Sequence, residues 1–155
     1  MNLRRTLSTF CITLLGITGT VFSADDIWTS YVNRNIVYAL AADGNHVWSG
    51  TSLGLLRWLI PSTGEKAESE SFTDRIGAEY FINSILIDGS VRWFGVEGMG
   101  LVKFDGEHWT TYSSEHTGLA NNWIWDIAKD SAGSLWIGTS DGVSKFDGTS
   151  WTTYK

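Results

Sequence analysis

From residue 35 onward, short apolar runs alternate with polar breaks that carry glycine. The clearest stretch is "YFINSILIDGSVRWFGVEGMGLVKFDGEHWTTYS", Tyr80 to Ser113. It parses into an "INSILI" strand ending at Asp88, a tryptophan-bearing strand ending at Gly95, an "LVKF" strand and a "WTTY" strand. Val, Ile, Trp, Tyr, Phe and Thr suit a pleated, half-buried surface. The breaks hold Met99-Gly100 and Asp105-Gly106, where glycine tolerates the positive φ of a hairpin turn. Pro61, the sole proline, falls in the longer turn "IPSTGE". No helical period follows residue 24, so the pattern predicts an all-β chain.

The same four-strand pattern occurs three times. The other copies begin at "NIVYALAADGNHVWSGTSLGLLRW" (35–58) and "NWIWDIAKDSAGSLWIGTSDGVSKFDG" (122–148). Their central tryptophans, Trp48, Trp93 and Trp136, are spaced by 45 and 43 residues. A period in the forties marks a stacked array. Four antiparallel strands per unit with a large aromatic on the second describe a β-propeller blade. The expected fold is therefore a partial β-propeller of three four-stranded antiparallel blades, over residues 35–73, 80–113 and 122–155. "DDIWTSYV" (25–32) ahead of them matches "WTTY" and reads as one extra N-terminal strand. The central rings should pack between neighbouring blades, each burying on the order of 200 Å². Trp28, Trp109 and Trp151 on the fourth strands take the same structural reading.

The third copy, Asn122 to Tyr154, resembles the two-component-regulator propeller repeat, through "NWIWDIAKDSAGSLWIGTSDGVSKFDG" and the closing "WTTY". Copy two fits the resemblance well. Copy one departs from it where "WLIPSTG" replaces "FDG". The resemblance implies the extracytoplasmic sensor part of a bacterial hybrid histidine kinase. Such sensors carry many more blades, and their kinases add a membrane span and a signalling module, so kinase activity does not carry over. Three blades fall short of the four to eight of a closed ring. The strand count favours part of a longer array. For an intact chain it predicts self-association, or docking to another propeller chain, because an open end exposes an apolar face.

"MNLRR" followed by "TLSTFCITLLGITGTVFS" has the layout of a secretory signal peptide over residues 1–23, with Val21 and Ser23 fitting a cut before Ala24. The expected location is periplasmic or secreted, with no membrane association after cleavage. Cys11, the only cysteine, leaves with the signal, so disulfides are excluded from the mature chain. The formal charge of −6 becomes two units more negative once Arg4 and Arg5 are removed. Such a surface opposes phosphate backbones, which argues against nucleic acid as a partner.

Candidate chemistry is sparse. "GTSLG" (Gly50–Gly54) and "GTSDG" (Gly138–Gly142) match G-x-S-x-G, but a nucleophile elbow needs a strand-to-helix turn and these sit in hairpins. His46, His108 and His116 occupy unrelated repeat positions, and Asp43, Asp88 and Asp130 recur at one turn, where local hydrogen bonding is the ordinary role. No metal, cofactor or catalytic residue is assigned. Comparing the copies separates scaffold from variable positions. On the first strand, Val37/Ile82/Ile124 and Leu40/Ile85/Ile127 form an apolar framework, and Ile36/Phe81/Trp123 keep bulk and read as core. Between the framework positions, Tyr38/Asn83/Trp125 and Ala39/Ser84/Asp126 change character. First strands line a propeller's channel, whose mouth is the usual ligand face. Tyr38, Asn83, Trp125 and Asp126 are therefore the candidate ligand-binding residues, suited to sugar rings or another small ligand. A non-catalytic recognition module is expected; a propeller-type lyase or hydrolase and a docking scaffold are the alternatives.

Overall fold

The computed structural model describes residues 36–62 and 67–155. The signal peptide expected over residues 1–23, the extra strand expected over 25–32 and Trp28 lie outside the described residues.

Three four-stranded antiparallel sheets follow one another along the chain. The first holds β1 (Val37–Asp43), β2 (His46–Thr51), β3 (Gly54–Leu59) and β4 (Glu68–Ser71). The second holds β5 (Ile82–Asp88), β6 (Val91–Val96), β7 (Gly100–Phe104) and β8 (Trp109–Tyr112). The third holds β9 (Ile124–Lys129), β10 (Leu135–Thr139), β11 (Gly142–Phe146) and β12 (Trp151–Tyr154). Every sheet is a simple meander in strand order, as expected of blades. The turn glycines behave as their positions require: Gly54, Gly100 and Gly142 have φ of 99°, 107° and 109°. At Gly100 and Gly142 a Cβ would also stand 2.3 and 2.2 Å from the carbonyl oxygens of Tyr112 and Tyr154.

One helical turn, α1 (Thr73–Ile76), departs from the strand-only expectation. A single turn leaves no period to read in a sequence. Its Ile76 is fully buried between the first two sheets, and Gly77, with φ of 88°, ends it.

Two cores lie between successive sheets. Trp48 is 1% exposed and sits against Phe72, Phe94 and Phe104, with ring centroids 5.2, 5.4 and 6.2 Å away. Trp93 fills the second gap beside Tyr112 and Phe146, with Ile124, Ile127 and Ile137 around it. In the second and third units the "FDG" phenylalanine and the "WTTY" tryptophan stack: Phe104 on Trp109 at 4.4 Å and Phe146 on Trp151 at 4.6 Å. Trp136 has no third gap to fill among the described residues; it is half-buried and stacks on Tyr154. Over each central indole lies a cation from the third strand, Arg57, Lys103 or Lys145.

The recurrent aspartates are structural ties. The Trp48 indole N–H donates to Asp43 Oδ2 at 3.0 Å, and Arg92 of the second sheet reaches the same oxygen at 2.8 Å. Asp130 repeats the indole bond from Trp136 at 2.9 Å. The middle unit breaks the pattern: Asp88 pairs with Lys129 of the third sheet, and Trp93 Nε1 is buried with no hydrogen-bond partner among the described residues.

Candidate functional site

The first strands β1, β5 and β9 make the main backbone contacts between sheets, so they are the inner strands on which the sheets converge. Two features hold them there. The first is a glycine on each second strand. A Cβ at Gly50 would stand 2.5 Å from the carbonyl oxygen of Ile82, and one at Gly95 would stand 2.6 Å from Ile124 Cγ2. Only hydrogen fits where the next inner strand presses in.

The second feature is a β-bulge near the start of every inner strand. Val37 pairs with Thr51 and Ala39 with Gly50, so Tyr38 is the extra residue. Ile82 pairs with Val96 and Ser84 with Gly95, which makes Asn83 extra; Ile124 and Asp126 flank Trp125 in the same way. A bulge leaves one residue out of the ladder and re-aims its side chain. The variable positions Tyr38, Asn83 and Trp125 are thus one structural site repeated three times.

The structure places these residues differently. Tyr38 is 45% exposed and stacks on Phe81 of the next sheet, centroids 5.5 Å apart and planes at 24°. Trp125 is 52% exposed. Asn83 is half-buried: its Nδ2 donates to the Ile124 carbonyl at 3.0 Å and approaches Glu97 Oε2 at 3.4 Å, which ties the second unit to the third. Asp126 Oδ1 accepts from Ser84 Oγ at 2.9 Å and from the Ile127 N–H at 2.8 Å. Its second oxygen has no hydrogen-bond partner among the described residues.

The core reading of Ile36, Phe81 and Trp123 is overturned, since they are 61%, 37% and 49% exposed. Each stands just before its inner strand, ahead of the bulge, where the sheets no longer cover it. Trp123 is held by its backbone N–H, which donates to Asn121 Oδ1, and by a backbone bridge to Glu97 of the preceding unit. Exposed rings at Tyr38, Phe81, Trp123 and Trp125 therefore share one end of the inner strands. Val37 and Leu40, framework positions in the sequence, are also exposed in the first unit, because no described sheet covers that face.

The remaining motifs have local roles. Ser52 Oγ accepts the Ile36 N–H and Ser140 Oγ donates to Asn121 Oδ1, so both G-x-S-x-G serines brace the lead-in to an inner strand. Asp105 and Asp147 each accept two backbone N–H groups of the following turn, which holds both carboxyls below their ordinary range. Glu115 is held at about 2, first by the Asn122 side-chain amide, which donates to both its oxygens at 3.0 Å. Among the described residues, no group of three or more His, Cys, Asp or Glu is placed to hold a metal ion.

Residues 118–141 match the two component regulator propeller family. Among solved structures, the chain is similar to an extracellular domain assigned to the hybrid two component system BT3049 of B. thetaiotaomicron, with TM-score 0.65 and 20% identity over 78% of this chain. It is similar to the corresponding domain of BT4673 from the same organism, at 0.56 and 29% over 72%. It is also similar to PorZ of Porphyromonas gingivalis, a bacterial surface component of the type-IX secretion system, at 0.58 and 23% over 72%. The chain spans only 17%, 15% and 17% of those three chains. No curated protein matches it. The resemblance read from the third copy holds, and the chain carries a two component regulator propeller repeat in a partial propeller.

Proposed function

From a chain carrying that repeat, we propose an extracytoplasmic, non-catalytic recognition module that reads a small ligand at the bulged end of its inner strands. Tyr38, Asn83, Trp125 and Asp126 are the contact residues, with Phe81 and Trp123 as further rings. The observation that carries this reading is the bulge itself: at the one place where each blade releases a residue from its ladder, the residue type changes from blade to blade. A scaffold position needs the same chemistry in every copy, and this one does not have it.

Exposed flat rings beside an amide and a carboxylate suit a neutral, glycan-derived ligand, whose C–H faces stack while its hydroxyls exchange hydrogen bonds. The extracellular domains among the similar structures support a location outside the cytoplasm. The hydrolase alternative is weakened by the hydrogen bonds of Ser52 and Ser140, which serve the backbone and an asparagine instead of a general base. The test is calorimetric titration with maltohexaose, cellohexaose and laminarihexaose. Saturable binding of one of them, lost in Trp125→Ala, supports the reading. Binding that survives the loss of both Tyr38 and Trp125 removes it.

A further inference from the structure

We infer that the exposed face of Trp123, between the second and third blades, is the principal subsite of the inner-strand end, and that it takes one flat, hydroxyl-bearing ring. Its place rests on the reading above; the ligand chemistry follows from a contact already present in the molecule. Where the first blade meets the second, Tyr38 lays its ring on Phe81, with centroids 5.5 Å apart and planes at 24°. Where the second meets the third, the same two positions hold Asn83 and Trp123. Asn83 has no ring to offer, and its amide is engaged by the Ile124 carbonyl at 3.0 Å. Trp123 is 49% exposed and stacks on no other ring among the described residues.

Two further departures from the repeat meet at the same ring. The turn after the second strand runs Thr51-Ser52-Leu53-Gly54 in the first unit and Thr139-Ser140-Asp141-Gly142 in the third. In the second it runs Val96-Glu97-Gly98-Met99-Gly100, one residue longer. Ser52, Glu97 and Ser140 donate their backbone N–H groups to the carbonyls of Ile36, Phe81 and Trp123, so Glu97 stands where the other units keep serine. Glu97 also forms the backbone bridge to Trp123, and a Cβ on the added Gly98 would stand 3.9 Å from Trp123 Nε1. The Glu97 side chain is half-buried. Its Oε2 has only the 3.4 Å approach of Asn83 Nδ2, and its Oε1 accepts no hydrogen bond among the described residues. An ionised carboxylate accepts and cannot donate, so its partner must bring a donor. The indole face beside it suits a flat ring. A pyranose and a phenol both meet these demands, and the Tyr38 side chain is the phenol already seen in that relation.

The experiment titrates p-cresol, and separately the same hexasaccharides, into the labelled 155-residue chain and follows the Trp123 indole N–H by NMR. Saturable binding of at least one probe is expected, with that indole shifted. Asn83→Tyr restores the ring that the first blade carries and should weaken binding at least tenfold, as should Trp123→Ala. Glu97→Gln keeps an acceptor without its charge and should weaken it about fivefold. Should Asn83→Tyr fail to fold, Trp123→Ala, which removes an exposed ring, carries the comparison. Binding of p-cresol without any hexasaccharide keeps the subsite and removes the glycan reading. Hexasaccharide binding lost in Trp125→Ala but unchanged in Asn83→Tyr and Trp123→Ala overturns the subsite and keeps the glycan reading. Absence of saturable binding by either probe also overturns it.

Discussion

Gly95 and Ile124 meet where nothing larger than hydrogen fits: a Cβ on the glycine would stand 2.6 Å from the isoleucine's Cγ2. This contact sets how closely one blade approaches the next, and it makes the glycines of the three second strands unequal. Gly95→Ala must push a fully buried side chain, at about 1–3 kcal/mol. Gly50→Ala faces the Ile82 carbonyl at 2.5 Å and should cost at least as much. Gly138→Ala, where a Cβ would meet nothing nearer than the Asp126 carbonyl oxygen at 3.9 Å, should stay within about 0.5 kcal/mol. Urea unfolding of the three variants under dilute conditions checks the order.

The central tryptophans are also unequal. Trp48 donates to Asp43, whereas Trp93 Nε1 is buried with no partner among the described residues. Replacing either by phenylalanine loses packing, but only Trp48→Phe removes a hydrogen bond. Relieving an orphaned buried N–H is worth about 1–3 kcal/mol. Trp93→Phe should therefore be the milder substitution by about that margin in denaturant unfolding.

Acid should loosen the joint between the first two blades. Burial acts to raise the Asp43 pKa, but hydrogen bonds from Trp48 and Arg92 and the Arg92 charge outweigh it, and the net shift is downward. A depressed carboxyl contributes stability that is present above its unfolded value near 4 and is lost as pH falls through the folded value. Thermal unfolding should show a drop in stability below about pH 4, and Asp43→Asn should flatten that slope while lowering stability at neutral pH. An unchanged slope in the variant would assign the acid sensitivity to other groups.

At the inner-strand end, Trp125→Ala should leave stability within about 0.5 kcal/mol, since the ring is exposed. If the ring stacks on ligand, binding should weaken about tenfold, the equivalent of about 1.4 kcal/mol. Asn83→Ala should behave differently. Its amide ties the second blade to the Ile124 carbonyl, so the variant loses stability as well as affinity.

Much of this was legible in the chain. Repeats at Trp48, Trp93 and Trp136 marked the blades, because Trp48 and Trp93 fill equivalent gaps between successive sheets and Trp136 holds the same place on the second strand of the third. The variable positions on the first strands were also readable. The bulge was visible in principle: Ile82 and Ile85, or Ile124 and Ile127, lie three apart, whereas a regular strand alternates every two residues. That odd spacing is the extra residue. Exposure of Phe81 and Trp123 was not legible, because bulk kept across copies reads as core unless the end of the paired segment is known. Nor was the partnerless Trp93, since the diversion of Asp88 to Lys129 depends on a contact between blades.

The central claim is that recognition happens at the bulged ends of the inner strands. Amide and indole shift mapping by heteronuclear NMR, with the three hexasaccharides titrated into labelled protein, tests it most directly. The account predicts shifts gathered on Tyr38, Phe81, Asn83, Trp123, Trp125 and Asp126, with the Trp125 indole among the largest. Shifts confined to the outer strands β4, β8 and β12, with the inner-strand signals unmoved, would contradict it.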